Sequence, residues 1–275
     1  MNVRLLGLIQ LADGGRALPL PSARARALLA SLAWQPRTVV TDSALMERIW
    51  GSELPDNPRD SIYTAAKRLR RGLEVAGHTR RLVRLRGGYL LDMDPAEIDV
   101  HRFRSQVALA RDAVRRGYLC EADDAFGSAL RDWTGTALAD VDSSWAGQCR
   151  ETLGRERLLV QLAATEVRLA LGRHSEAVPE LSELAAEHPL DEGVAALLMT
   201  ALHRCGLRGA ALAVYADTRR HLVAELGVEP GEGLRRAHRE LLGEGGAVAA
   251  GAGAEAAGCA PCGTETASAR LRLVG

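Results

Sequence analysis

The spacing of apolar residues along the chain changes twice, and the changes divide it into three stretches. The first opens with alternation: Val3, Leu5 and Leu8-Ile9 precede an Asp13-Gly14-Gly15 turn, and Leu18 and Leu20 follow around Pro19. Period-two spacing predicts short strands of a small antiparallel sheet, and Pro19 and Pro21 place the second strand at an edge, because proline has no N–H for a ladder. From Ser22 the apolar positions 25, 28, 29 and 32 share one helical face, in a helix that stops before Pro36. A second helix opens at Thr41, a good N-cap with Asp42 in the first turn, and carries Leu45, Met46, Ile49 and Trp50 to a stop at Gly51.

The third helix has the clearest start. Asn57 is placed to cap it, Pro58 suits the first helical position, and Asp60 complements the positive helix end, so a helix is expected from there to about Ala76. At about 100° per residue, Ile62, Ala66, Leu69 and Leu73 form one narrow stripe, with Asp60, Thr64, Lys67, Arg68 and Arg71 on the opposite side. Next come Arg80-Arg81-Leu82-Val83-Arg84-Leu85-Arg86, then Gly87-Gly88, then Tyr89-Leu90-Leu91, which reads as two strands about a glycine turn with Arg84 and Arg86 on one face. Three helices and a hairpin make a winged helix-turn-helix, expected over residues 1–95.

From Ile98 to about Leu242 the pattern is helical, with an internal period of 34. Leu171-Gly172-Arg173-His174-Ser175-Glu176-Ala177 recurs loosely as Cys205-Gly206-Leu207-Arg208-Gly209-Ala210-Ala211, and Leu181 falls on Tyr215 at the same offset. Thirty-four is the tetratricopeptide period, and Gly117-Tyr118-Leu119-Cys120-Glu121-Ala122 is a related phrase out of phase. Such units bury their faces only by stacking, so residues 96–242 are expected to form a tetratricopeptide-like helical repeat domain with a concave surface. The fold class is therefore mainly α, with an α+β N-terminal domain. Residues 243–275 hold 18 Gly or Ala in 33 and have no apolar period, the composition of a disordered tail.

The 275 residues balance 35 basic against 35 acidic side chains, but the balance is segregated. Residues 1–95 carry 15 basic and 9 acidic groups, and residues 57–86 alone carry 9 and 2, a footprint for a polyanion. Mean hydropathy is −0.07, and no apolar run approaches the ~18–20 residues of a membrane span. Met1–Leu11 is followed by no small-residue cleavage site, so a cytoplasmic address is expected. The five cysteines lack the spacings of a disulfide framework, and Cys259-Ala-Pro-Cys262 has no second pair or histidine near it. No Ser/His/Asp, HExxH or paired-carboxylate arrangement stands out, and with Lys67 the sole lysine there is no G-x-x-x-x-G-K-[ST] loop. Neither an enzyme nor a bound cofactor or metal is expected.

In a winged-helix reading, Thr64, Lys67, Arg68 and Arg71 would face a major groove, where Arg and Lys donate to guanine and Thr meets a thymine methyl. Asp60 would accept from cytosine N4 or cap its helix. Arg59, Arg70 and Arg80 are better placed as phosphate clamps, which position without reading sequence. Arg84 and Arg86 would enter the adjacent minor groove or hold its backbone.

Phrases throughout residues 1–242 resemble the Streptomyces antibiotic regulatory protein (SARP) family of transcriptional activators, which joins an OmpR-type winged helix to a bacterial transcriptional activator domain. They include Arg24-Ala25-Arg26-Ala27-Leu28-Leu29, Ile49-Trp50-Gly51, Arg68-Leu69-Arg70-Arg71, Ile98-Asp99-Val100-His101-Arg102-Phe103, Trp133-Thr134-Gly135, His188-Pro189-Leu190 and Glu225-Leu226-Gly227-Val228-Glu229-Pro230-Gly231. Asp60, Tyr63, Thr64 and Lys67 stand where the family usually has Asn, Gln, Val and Ser, so base preference rests on this chain's own residues. The resemblance implies binding to tandem direct repeats near promoters of biosynthetic genes and recruitment of RNA polymerase; because so small a domain reads few base pairs, self-association of two protomers on adjacent half-sites of DNA is expected as well. A helical-repeat scaffold whose winged helix contacts protein, and a ligand-sensing repressor, are the alternatives. Deleting residues 243–275 is expected to leave DNA affinity unchanged in a fluorescence-anisotropy titration; a large loss would give the tail a binding role.

Overall fold

The computed structural model of the chain describes residues 1–20 and 22–243; the tail and its Cys259–Cys262 pair lie outside them. The chain forms two compact units that divide between Gln161 and Leu162, within a long helix. The expected boundary after residue 95 falls inside the first unit. Among the described residues no helix is long and apolar enough to cross a membrane.

The first unit begins with a three-stranded antiparallel sheet, β1 (Asn2–Arg4), β2 (Gln10–Asp13) and β3 (Arg16–Leu18), in that order. The alternation at the N-terminus spans two strands because Leu5–Ile9 is turned out of the ladder. Its backbone groups are engaged elsewhere: Leu5 and Leu6 N–H donate to the Asp99 carboxylate at 2.8–2.9 Å. Leu5, Leu6 and Gly7 carbonyls accept from Leu138, Thr134 and Ala139 N–H. A Cβ at Gly7 would lie 2.2 Å from Thr134 Oγ1, so any larger residue there would displace the Thr134 side chain.

Three helices follow: α1 (Ala23–Ala33), α2 (Asp42–Trp50) and α3 (Pro58–Val75). Ser22 caps α1 by accepting from Ala25 N–H, and Thr41 caps α2 by accepting from Ala44 N–H. Gly51 ends α2 at φ +61°, a conformation glycine adopts without strain. Helix α1 packs on α2 and α3, and Leu28, Leu29, Leu32, Leu45, Ile62, Leu69 and Leu73 are almost wholly buried. A short strand that the sequence pattern does not signal, β4 (Val40–Thr41), pairs with β6 (Gly88–Leu91), which pairs with β5 (Leu82–Leu85), giving the sheet order β4-β6-β5. Three helices and this hairpin are the winged helix-turn-helix that the pattern predicts.

The same unit continues into α4 (Asp99–Arg116), α5 (Leu119–Arg131) and the start of α6 (Ser144–Ala170). Helices α4 and α5 pack as an antiparallel pair around Phe103, Val107, Ala122 and Phe126. The start of α6 meets the winged helix through Trp145, whose ring stands edge-on to Trp34 at 5.9 Å and lies under Arg48 at 5.4 Å.

The second unit holds α7 (His174–Glu187), α8 (Glu192–Arg204), α9 (Arg208–His221), a π-turn at Leu222–Leu226, and α10 (Glu232–Gly243). Ala177, Leu181, Ala195, Leu198, Met199, Leu202, Ala211, Leu234 and Leu241 form its core. The 34-residue period is literal, since α7 and α9 begin and end 34 residues apart. Gly117, Gly172 and Gly206 all take left-handed φ, at 82°, 77° and 77°. In each phrase the alanine five residues on is fully buried at a helix crossing, which is why the phrase recurs out of phase before α5.

Asp99 is 1% exposed and also accepts from Val100 N–H at the start of α4. Burial pushes its carboxyl up to about 6, against the backbone donors, which pull it down. A carboxyl whose folded value lies above its unfolded value binds more protons folded than unfolded between roughly pH 4 and 6. Its stabilisation is therefore fully present below that window and is lost as pH rises through it. Asp99→Asn turns an amide N–H₂ toward a backbone donor, and it is expected to destabilise the chain by about 2–3 kcal/mol at neutral pH. The loss should be larger at pH 5 than at pH 7; equal losses in urea unfolding at the two values would rule out this titration.

Candidate nucleic-acid interface

Helix α3 presents two faces, as its stripe predicts. Ile62, Ala65, Ala66, Leu69, Gly72 and Leu73 are buried; Arg59, Asp60, Tyr63, Thr64, Lys67, Arg68 and Arg71 are exposed, and Arg70 is half-buried. The helix start differs in one detail from expectation. Asn57 makes no capping bond; its amide donates to Asp60 Oδ2 at 2.7 Å. The backbone of Asn57 is not in the extended conformation that aims a cap side chain at the first helical N–H groups. Asp60 is thereby held at the positive end of α3.

The nine basic residues between 57 and 86 fall into three groups. Arg81 and Arg84 are committed to carboxylates. Arg81 forks onto Glu97 at 3.0 and 3.4 Å and donates to Asp92 O, bracing the base of the hairpin. Arg84 forks onto Asp42 at 2.5 and 2.9 Å and donates to Gly88 O.

Arg68 and Arg70 are partly engaged. Arg68 Nη1 donates to Ser22 Oγ at 3.0 Å, and Arg70 lies over the Tyr89 ring at 5.9 Å. Arg59, Lys67, Arg71, Arg80 and Arg86 are exposed and make no hydrogen bond, ion pair or ring contact among the described residues. Uncommitted guanidinium and ammonium groups of this kind are available to phosphate or base oxygens without a partner having to be displaced.

Position along α3 sorts them again. Arg59, Tyr63 and Arg70 lie four and seven residues apart, on the stripe toward the wing, while Thr64, Lys67, Arg68 and Arg71 form the adjoining outward stripe. Arg68 and Arg71 also border an open cleft of about 550 Å³ whose walls are Pro19, Ser22, Gly72 and Val75. Asp60, Thr64 and Arg68 share a second, smaller hollow with Arg24 and Asn57. Arg80 sits in the 3-10 turn Thr79–Arg81, and Arg86 occupies the tip of the wing.

Both wing glycines have a physical cause. Gly87 takes φ +82° in the two-residue turn with Arg86, and a Cβ on Gly88 would lie 2.4 Å from Val40 O, where β4 closes on β6. The register sets Arg84 opposite Tyr89. Tyr89 is 2% exposed and lies under Arg84 at 4.5 Å as well as under Arg70, and its burial raises the phenol above its ordinary value. The Arg84 bond holds the Asp42 carboxyl below the usual carboxylate range, with Arg59 contributing, and raises Arg84 in turn.

Asp42, Tyr89 and Ser22 are the participants that the sequence pattern passes over, the first two having been read as a helix-start residue and a strand residue. The turn read at Gly87-Gly88 falls one residue earlier, at Arg86-Gly87, so Gly88 joins β6, Arg86 sits in the turn and Arg84 pairs with Tyr89. No group of three or more His, Cys, Asp or Glu side chains among the described residues is arranged to hold a metal.

The helical triad, its sheet-backed wing and the helical segment behind them define a winged-helix transcription regulator. Residues 16–91 match the model of the C-terminal module of transcriptional regulatory proteins, and residues 98–242 match the bacterial transcriptional activator domain. The chain is 36% identical over 250 residues to the regulatory protein DnrI of Streptomyces peucetius, covering 88% of this chain and 92% of that one. It is 38% identical over 239 residues to the regulatory protein AfsR of Streptomyces coelicolor, of which it spans 24%. Among solved structures, EmbR of Mycobacterium tuberculosis in complex with a low-affinity phosphopeptide superimposes with a TM-score of 0.83 at 29% identity, over 88% of this chain and 65% of that one. The chain belongs to the Streptomyces antibiotic regulatory protein family of transcriptional activators.

The free and the packed residues of α3 make opposite stability predictions. Leu69→Ala is expected to cost about 2–4 kcal/mol through loss of core volume. Lys67→Ala and Arg71→Ala should shift the thermal midpoint by less than about 2 °C, given that exposed substitutions stay within about 0.5 kcal/mol. A large loss of stability in either cation variant would show it to be structural.

Proposed function

We propose that this chain is a cytoplasmic, sequence-specific DNA-binding activator of antibiotic or other secondary-metabolite genes. It binds tandem direct repeats near promoters as two or more protomers and recruits RNA polymerase. The observation that carries the reading is the outward stripe of α3: the side chains of Thr64, Lys67 and Arg71 make no hydrogen bond, ion pair or ring contact of their own among the described residues, on a helix whose reverse side is anchored in the core. In this reading Thr64, Lys67, Arg68 and Arg71 read the major groove. Asp60 orders the helix start or accepts from cytosine, Arg59, Arg70 and Arg80 lie toward phosphates, and Arg86 leads the wing into the minor groove. So small a surface reads few base pairs, which is why adjacent half-sites are needed to single out a promoter. Homology to DnrI, AfsR and the transcriptional regulator RedD of Streptomyces coelicolor, 34% identical to this chain, supports the regulatory role.

Selection of genomic fragments by the purified chain tests this directly: enrichment of phased short repeats at promoters is the expected result, and retention without sequence preference would favour a scaffold. With about five phosphates neutralised per protomer, log K should fall against log salt with a slope of about −4 to −5. Arg71→Ala should relax sequence preference, whereas Arg80→Ala should weaken cognate and random duplexes alike. Equal effects of both variants on both duplexes would overturn the groove assignment.

A further inference from the structure

Within a surface rich in positive charge, one carboxylate is built in where it cancels a wing arginine. Asp42 is the first residue of α2, directly after the N-cap Thr41, so helix geometry fixes its backbone and the positive helix end favours its charged form. Its own N–H donates to Gly87 O at 2.9 Å, in the wing turn, and the pairing of Val40 with Tyr89 and of Thr41 with Gly88 ties this helix start to β6. The carboxylate is therefore anchored on two sides, and its side chain is only 22% exposed. Arg84 meets it with two parallel N–H···O bonds, the geometry in which guanidinium and carboxylate bind most strongly. The flat of the guanidinium rests on Tyr89, whose ring also carries Arg70 from α3. Asp42, Arg84, Tyr89 and Arg70 thus run as one chain of contacts from the start of α2, across the wing, to the recognition helix.

Two consequences follow for a polyanion approaching this face. Arg84 offers no net charge to a phosphate unless it releases Asp42, and any phosphate near Arg84 also meets the Asp42 carboxylate. Arg86, two residues further on, carries no such partner. The wing therefore has one cation for generic backbone contact and one that is spent internally on holding the wing against α3.

We infer that Asp42 is a specificity-determining residue: by sequestering Arg84 it lowers affinity for arbitrary DNA and keeps the wing in the register that α3 requires. The inference rests on the DNA-binding reading given above. Removing the carboxylate frees one guanidinium for any phosphate, which adds affinity in every docking register. It also loosens the stack that fixes the productive register, so the operator complex gains less.

The test is a double-mutant cycle on the full chain, with salt titrations of a random-sequence duplex and of the duplex retained in the fragment selection. Asp42→Asn is expected to tighten random-duplex binding about fivefold at 0.15 M salt and to steepen the log–log salt slope by about 0.9, the effect of one added phosphate contact. The operator should tighten less, so the ratio of the two affinities falls. In an Arg84→Gln background the same Asp42 change removes only a repulsion, and the steepening of the salt slope should disappear. An unchanged slope, or an equal steepening without Arg84, overturns the inference; so does a rise in both affinities that leaves their ratio intact. Asp42→Ser, which keeps a good residue for the first helical turn, repeats the test if the asparagine variant does not fold. Failure of the unsubstituted chain to bind either duplex at low salt would overturn the DNA-binding reading itself, and is distinct from normal binding that Asp42→Asn does not alter.

Discussion

A single buried carboxylate sets the architecture of the first unit. Asp99 accepts hydrogen bonds from Leu5, Leu6 and Val100 with essentially no solvent contact. Two of those donors belong to the N-terminal segment and one to the first turn of α4. An unpaired buried N–H costs free energy comparable to the bond it lacks. The three groups therefore stand or fall together, and the N-terminal segment is held on the start of a helix almost a hundred residues away. This explains why Leu5–Ile9 leaves the strand ladder, why its carbonyls turn to Thr134, Leu138 and Ala139, and why the winged helix and the α4–α5 pair form one compact body.

Charge in this unit is organised by what the charges already touch. The run of cations from 57 to 86 looks uniform in composition, yet two of them brace the hairpin through Glu97 and Asp42, two lean on Ser22 and Tyr89, and five make no hydrogen bond, ion pair or ring contact among the described residues. Only the last group is available to a polyanion at no internal cost. A count of cations would overstate the phosphate contacts of the wing, because a guanidinium in a two-bond pair with a carboxylate has little left to offer. The salt dependence of binding reports the free ones.

The second unit is built on a different economy. Its repeat needs a glycine that can turn left-handed and, five residues later, an alanine small enough for two helices to close on. Those two demands survive where the remaining residues diverge, which is why the period is visible in so loose a repeat. Larger residues between them, such as Leu181 and Leu198, fill the space that the crossing leaves.

The sequence by itself determined the helices, the two faces of α3, a hairpin turning at Gly87 and the repeat period. Each is a local consequence of apolar spacing, capping chemistry and backbone freedom over a few residues. Family membership was legible for the same reason, being carried by short phrases in order. What only the tertiary structure decided depends on partners distant in the chain. Asp99 pairs with residues 94 positions away, and Arg84 with one 42 positions away. The pattern also passed over the two-residue strand β4, because it exists only through its pairing with β6. Which arginines are spent and which are free is likewise a property of contacts that no local spacing encodes.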